Sequence, residues 1–340
     1  MPLWITEADV VGMMDMREAI DALEQGLLAE SRGEARNMVK THAEWGAERG
    51  DGSTLHAIGA VFPEAGFVGT KTWAHTRGGA TPLLVLYDAA SGALKAIIEA
   101  FALGQMRTGG ASGVATRLLA SEDAHEFAIV GTGKQALTQV AAVLAVRPIS
   151  RVRIFGRNAE RAAQFAKRVE DELGVETTVA NNIAEALRNV PVATVATRAT
   201  EPIITSEMCA RGTHINAIGA IVPSRAEIAS DVLARCTRVI ADSIPQAQKL
   251  SRELMAFFGA DPARWGAVES LAQLVSKRPR TTSDDLTLFK SLGMGISDLS
   301  LGIELYRRAL ASGTGREFAH PQKKAPRLRA TLNTSKGTHP

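Results

Sequence analysis

The stretch HEFAIVGTGKQALTQVAAVLAVRPISRVRIFGRN, residues 125–158, decides the fold. It opens on an apolar strand, 125–130. A glycine turn follows, Gly131-Thr132-Gly133-Lys134-Gln135-Ala136. The apolar spacing from Leu137 to Val146 predicts a helix, and R-V-R-I-F (151–155) a second strand ending at Gly156-Arg157-Asn158. Strand, glycine turn, helix and strand make one βαβ unit of about the length that a dinucleotide-binding fingerprint requires. Gly131 permits the tight turn. Gly133 lets the backbone approach a pyrophosphate. Ala136 takes the third small position, where helix packs on strand. The helix N-terminus then offers free N–H groups and a positive dipole end to phosphates. The competing reading is an ordinary βα turn.

The end of the second strand bears on cofactor choice. An NAD site usually offers an acid there for the ribose hydroxyls. This chain offers Arg157 and Asn158, with Arg161 one turn on. An arginine pairs with a 2′-phosphate that an acid would repel. The residues therefore favour NADP(H), with NAD(H) possible. The competing reading makes Arg157 a solvated turn residue.

Outward from this unit, strands are expected at 151–155, 176–179, 192–196, 214–218 and 238–241, with helices between most of them. Such alternation predicts an α/β fold, a Rossmann-type doubly wound parallel sheet, with its ligand at the carboxyl ends of the strands. Thr197 and Ile218 stand at two of those ends. Residues before about 119 have a different texture. Thr6 and Asp15 begin capped helices, the second with Ile20, Leu23, Leu27 and Leu28 at helical spacing. The runs 53–62, 67–73, 82–87 and 93–100 read as antiparallel strands, with a hairpin at 87–94. Leu103 to Ala120 reads as a helix with Arg107 near its start. The run T-L-F-K-S-L-G (287–293) reads as a strand leading to a helix over 296–310. That helix, apolar at Leu299, Leu301, Ile303, Leu305 and Leu310, returns to the first region. The expected domains are 1–118 plus 297–325 for substrate binding and dimerisation, 119–296 for the dinucleotide, and 326–340 as a disordered basic tail.

Composition narrows the class. At 340 residues the chain is long enough for two cores. Its net charge of +3 is uneven: after Gly315 six basic residues face Glu317 alone, a net of +5, so the remainder carries −2. The body offers no basic face for nucleic acid. Cys209 and Cys236 stand far apart, and no spacing suggests a metal site. No signal peptide or membrane-spanning run is read, and the expectation is a soluble cytoplasmic protein.

Four motifs occur in order: R-T-G-G-A-S-G-V-A-T (107–116), G-T-G-K-Q-A (131–136), G-T-H-I-N-A-I-G-A (212–220) and T-L-F-K-S-L-G (287–293). Through them the chain, over about 5–315, resembles the ornithine cyclodeaminase/mu-crystallin family. The resemblance implies a Rossmann domain, a dimerising substrate domain and hence a homodimer. It implies that Lys71, in G-T-K-T-W, is the active-site lysine and that Arg107 holds the substrate carboxylate. Thr108, Gly131, Thr132, Gly133, Lys134 and Gln135 would serve the cofactor phosphates, and Ser291 and Gly293 the nicotinamide end. Two positions depart. Deaminating members usually carry Asp just after N-A-I-G-A, where this chain has Ile221. The family often has an early P-R-x arginine; here the segment is Asn37-Met38-Val39-Lys40, and Lys40 supplies a charge without the bidentate fork.

These departures favour a reaction with no amine to expel. A cyclic imino acid such as Δ1-pyrroline-2-carboxylate or Δ1-piperideine-2-carboxylate has a carboxylate and a C=N bond. Arg107, Lys71 and Lys40 would bind it, and hydride transfer would yield L-proline or L-pipecolate. The alternatives are an ornithine cyclodeaminase, an open-chain amino-acid dehydrogenase, and an NADPH-dependent ligand-binding protein. By spacing alone Lys71 is a strand lysine of the kind usually solvated. Arg107 at a helix start opposes the dipole unless an anion binds there. His42, His56 and His75 read as packed or surface strand residues rather than general acids, His75 being the best candidate for that role through its closeness to Lys71. Asp298 is either an acid in the site or a cap. Trp45, Trp73 and Phe101 either shape a pocket or fill the core, and the core is the preferred reading.

Overall fold

The structure, a computed structural model, describes residues 1–46, 52–277 and 284–329. Strand β1 (Leu3–Ile5) leads into α1 (Glu7–Met13) and α2 (Met16–Ser31). Both helices open on capping boxes, Thr6 with Asp9 and Asp15 with Glu18. Then come β2 (Arg36–Asn37), β3 (Thr41–Trp45), β4 (Ser53–Phe62), β5 (Phe67–Thr76), β6 (Gly79–Ala80), β7 (Leu83–Asp88) and β8 (Leu94–Glu99). Helix α3 (Phe101–Leu119) carries the chain to a second sheet. There β9 (Glu126–Val130), α4 (Ala136–Leu144), β10 (Arg151–Phe155), α5 (Ala159–Leu173), β11 (Glu176–Val179), α6 (Ile183–Leu187), β12 (Val192–Val195) and β13 (His214–Ala217) alternate. They are followed by α7 (Ser230–Arg235), β14 (Cys236–Ala241), α8 (Ile244–Leu250), α9 (Arg252–Phe258), β15 (Val268–Ser270), α10 (Leu271–Ser276) and β16 (Leu286–Lys290). Helix α11 (Gly295–Ser312) and β17 (Arg316–Glu317) return to the first sheet.

The second sheet has the order β11-β10-β9-β12-β13-β16-β14-β15, parallel throughout. It is the expected doubly wound sheet. Its order reverses between β9 and β12, and a ligand crevice belongs at that switch point. Apolar clusters cover both faces: Phe127, Ile129, Val140 and Ile154 on one, Val130, Val195, Ile215 and Leu288 on the other. The first sheet runs β17-β1-β8-β7-β5-β4-β2, with β3 on β4 and β6 on β5. It is antiparallel except where β1 lies parallel to β8.

Helix α11 is buried on nearly every side, Leu299, Leu301 and Leu305 being fully enclosed, so it forms the spine of the first core. Its start lies against β4 so closely that a Cβ on Gly295 would collide with the Gly59 carbonyl. The small residues of R-T-G-G-A-S-G serve similarly. Gly109 of α3 faces the Thr138 carbonyl of α4 at 2.9 Å from an ideal Cβ, and Gly113 accommodates Ile20 of α2. Helix α3 is thus wedged between the two halves.

Several expectations are corrected. Helix α4 ends at Leu144, and β16 ends at Lys290, with Ser291-Leu292-Gly293 in a turn. Trp45 and Phe101 are 46% and 54% exposed, not core. Trp45 ends a strand whose every residue is exposed, and Phe101 opens α3 at its rim. Leu310 is 57% exposed on the outer side of α11. Arg107 lies beyond the first turn of α3, so it does not oppose free N–H groups. Arg316 and Glu317, at the start of the basic stretch after Gly315, pair with β1. Residues 330–340 of the expected disordered tail lie outside the described residues. Among the described residues no helix is long and apolar enough to cross a membrane.

Candidate active site

At the carboxyl ends of β9 and β12 lies a cleft of about 660 Å³. Gly131, Thr132, Gly133, Arg157, Asn158, Arg161 and Thr197 are among its lining residues. Gly131 has φ +112°, and a Cβ there would collide with the Ala196 carbonyl. The same substitution at Gly133 meets nothing within 4 Å, so the turn is open on the side where phosphate oxygens would approach. Gln135, the cap of α4, makes no side-chain cap bond, which leaves that helix end to an incoming anion. These features fit a dinucleotide. Arg157 is exposed, and no acid stands at 156–158, directly after β10. The Asn158 side chain accepts from the Arg161 N–H at 2.8 Å, capping α5. Lys134 is exposed, and neither it nor Gln135 lines the cleft. The Thr108 hydroxyl donates back to the Gly104 carbonyl of its own helix, at 2.9 Å.

A second cluster, not part of the cleft lining, is built from buried charge. Lys71 points from β5 into the seam beneath α11 and is 3% exposed. Its ammonium donates to Asp298 Oδ1. Arg107 Nε lies 3.4 Å from the same oxygen. Asp298 is fully buried, and its Oδ2 has no hydrogen-bond partner among the described residues. The close approach of α11 to β4 at Gly295 is what lowers Asp298 onto Lys71. Asp298 is therefore a site carboxylate, and the cap reading falls. Burial pulls the Lys71 ammonium down to about 8; Asp298 works against this and Arg107 with it. Half-buried Lys40 is likewise pulled down, by burial first and then by Arg107. Lys40 makes no ion pair among the described residues. Lys71, Arg107 and Lys40 thus converge. Three cations around one enclosed carboxylate form an anion trap with a proton-bearing lysine in it.

Two further carboxylates hold the walls, and the sequence reading missed both. Asp242, just after β14, is 3% exposed. Its Oδ2 accepts from Ser291 Oγ (3.0 Å), Leu292 N–H (2.8 Å) and Gly293 N–H (2.7 Å). Burial raises its pKa, and those bonds oppose the rise. The turn it fixes sets Gly293 beside Arg107; an ideal Cβ on Gly293 would stand 3.1 Å from the guanidinium. Glu227, 0% exposed, accepts from Thr197 N–H (2.6 Å) and Oγ1 (2.7 Å) through one oxygen. Its other oxygen accepts from Gly219 N–H (2.8 Å) and Ala220 N–H (2.9 Å). It ties the ends of β12 and β13 together. Behind it lies a buried ion pair, Lys290 with Glu253 at 2.7 Å. Thr197 and Ser291 therefore spend their hydroxyls on the scaffold, and Ile218 is 6% exposed. The available signal was Asp242 and Lys290 at the carboxyl ends of apolar strands; Glu227, in a loop, gave none.

The whole-chain comparisons agree with this architecture. The family model described as ornithine cyclodeaminase/mu-crystallin family matches residues 2–313. The chain belongs to the ornithine cyclodeaminase/mu-crystallin family. A Delta(1)-pyrroline-2-carboxylate reductase of Bacillus cereus is 32% identical over 271 residues, covering 78% of this chain and 81% of its own. The solved structure of the Thermococcus litoralis Delta(1)-pyrroline-2-carboxylate reductase, in complex with NADH and L-proline, aligns with a TM-score of 0.82. It is 27% identical and covers 93% of this chain and 100% of that one. An archaeal alanine dehydrogenase dimer with bound NAD aligns with a TM-score of 0.83 at 26% identity, over 94% and 99% of the two chains.

Within the family, this chain's departures have structural correlates. Ile221 is 37% exposed after β13, so no carboxylate stands at that position. Asn37 bridges Glu30 and the start of α11: its amide donates to Glu30 Oε1 at 2.8 Å, and its oxygen accepts from Ile296 N–H at 2.9 Å. Burial pushes Glu30 up to about 7.

Proposed function

We propose that this protein reduces a cyclic imino acid, Δ1-pyrroline-2-carboxylate or Δ1-piperideine-2-carboxylate, to L-proline or L-pipecolate. The observation that carries the reading is the enclosed Lys71–Asp298–Arg107 cluster, in which one carboxylate oxygen is held by the lysine, together with Ile221 at the position of the usual acid. A deaminase needs an acid free to take up an amine, and Ile221 cannot be one. Arg107 and Lys40 bind the substrate carboxylate. Lys71 donates a proton to the imine nitrogen, and Asp298 keeps it charged and aimed there. The turn at Gly131, Thr132, Gly133, Lys134 and Gln135 holds the dinucleotide phosphates through backbone N–H groups and the start of α4, and the Thr108 hydroxyl turns from the Gly104 carbonyl to join them. Thr197, Ile218, Ser291 and Gly293 shape the nicotinamide end. When bound, the reduced nicotinamide supplies hydride to the imine carbon. Arg157, with Asn158 and Arg161 beside it, gives a preference for NADP(H).

The test is NADPH oxidation with each imine, with Arg107→Ala as control and L-ornithine plus NAD scored for ammonia. Imine reduction that is lost in the control, without ammonia from ornithine, is the expected result. Ammonia and proline from ornithine would overturn it in favour of cyclodeamination.

The same reading includes a homodimer. The face of β3, β4 and β5 turned away from α11 carries Ala43, Trp45, Leu55, Ala57 and Ala74, with Trp45 and Leu55 about half exposed. Leu55→Glu is expected to halve the mass seen by light scattering.

A further inference from the structure

Lys71 stands on a border. Residues directly paired across an antiparallel sheet point to the same side. Lys71 therefore shares a face with Ile58 and Leu84, its register partners, and with Ile98 beyond them. That half of the face is core: Ile58, Leu84 and Ile98 are at most 1% exposed. Further along β5 the same face carries Trp73 and His75. His56 lies opposite Trp73, and His42 opposite His56. This half is open, with Trp73 and His56 half-buried and His42 and His75 exposed.

An uncovered strand face is ordinarily made of charged and hydroxyl side chains. This one carries a row of rings. His42 stacks on His56 at 5.6 Å, and His56 on Trp73 at 4.7 Å. The Trp73 ring centroid lies 5.2 Å from the Lys71 ammonium. The row starts where the proton donor sits and runs outward. Lys40, which shares the charge environment of Arg107, also acts on His56, so the row borders the carboxylate trap as well. Burial first, then Lys40, pulls His56 down to about 4, so its ring is neutral near pH 7 and presents a π face rather than a charge. The five-membered ring of a pyrroline carboxylate is too short to span the trap and this row together.

We propose that the row His42–His56–Trp73 is a subsite for a flat, unsaturated substituent on the imino-acid substrate, reached from the imine carbon through a methylene. The inference rests on the placing of the imine at Lys71 and Arg107. Stacking on the Trp73 and His56 rings favours a planar π system over a puckered saturated ring of similar bulk.

The test compares two imines formed in solution from methylamine, which condenses with phenylpyruvate or with 3-cyclohexylpyruvate and releases water. The protonated imine accepts hydride at carbon from the reduced nicotinamide dinucleotide, giving the N-methyl amino acid and the oxidised dinucleotide. Δ1-Pyrroline-2-carboxylate is assayed beside them. The expected result is a kcat/KM for the phenyl imine about fivefold above that for the cyclohexyl imine. His56→Leu and, on the exposed strand, His42→Leu should each bring that ratio towards one. Equal rates for the two imines in the unaltered protein, or a ratio that both variants leave unchanged, overturns the subsite. Reduction of pyrroline carboxylate with no reduction of the phenyl imine does the same and leaves the imine reading standing. Failure of all three substrates removes both.

Discussion

The proposed phosphate and substrate regions would bind anions by opposite means. At the phosphate end the backbone does the work: an open glycine turn, a helix start without a side-chain cap, and no buried charge among Gly131, Thr132 and Gly133. At the substrate end side chains do it. Lys71, Arg107 and Asp298 are packed together, and Asp242 stands behind them. A backbone site tolerates side-chain change but no change of chain path. A side-chain site is the reverse, and it titrates.

The sharpest way to break this contrast is Lys71→Met. Loss of a positioned proton donor should lower kcat for imine reduction by about 10²–10⁴. Only the ammonium donates, so the unaltered enzyme should lose rate as pH rises through about 8. The variant's profile should lack that limb. An unchanged limb would assign the titration to another group.

Next comes a pair at the turn. Gly131→Ala forces an L-residue to φ +112° against a carbonyl, at a cost of about 1–2 kcal/mol or more. It should lower Tm even without ligand. Gly133→Ala has room for its methyl and should leave Tm in place, while KM for the dinucleotide rises about tenfold. If both variants merely unfold the protein, the open-turn account fails.

Arg157→Asp should raise KM for NADPH about tenfold relative to NADH, since one charge-assisted contact is replaced by repulsion. Equal effects on the two cofactors would remove the proposed preference. The smallest effect is expected from Asp242→Asn. An amide oxygen still accepts from the 291–293 turn but less strongly, so kcat/KM should drop about threefold to fivefold. A larger change in the substrate's KM than in the cofactor's would place Asp242 in the carboxylate trap instead.

The phosphate end was legible in the sequence because its signals are local. A glycine turn between strand and helix needs only neighbouring residues to be recognised, and the alternation of 125–290 follows from periodicity. The substrate end was legible only where family motifs marked it, at Lys71 and Arg107. Asp242 acts on Gly293 and Glu227 on Thr197, pairs that the chain separates widely and the parallel sheet brings together. Asp298 was visible but ambiguous, because a carboxylate near a helix start reads equally as a cap. Strand β3 left no alternating trace because both its faces are exposed. Trp45 and Phe101 were misplaced because an aromatic residue carries no mark of which side of a rim it occupies.

The helix of small residues, α3, has a mechanical consequence. It bears Arg107, and a few residues on, Gly109 lets it rest directly on the Thr138 carbonyl of the helix that rises from the glycine turn. Beside that contact stand the Thr138 and Met16 methyl groups, 3.1 and 3.3 Å from where a Gly109 Cβ would be. The reach from the carboxylate grip to the pyrophosphate cradle is therefore a fixed gauge, cut once by backbone contact. A single methyl added at Gly109 would act as a shim, altering the spacing between the two regions.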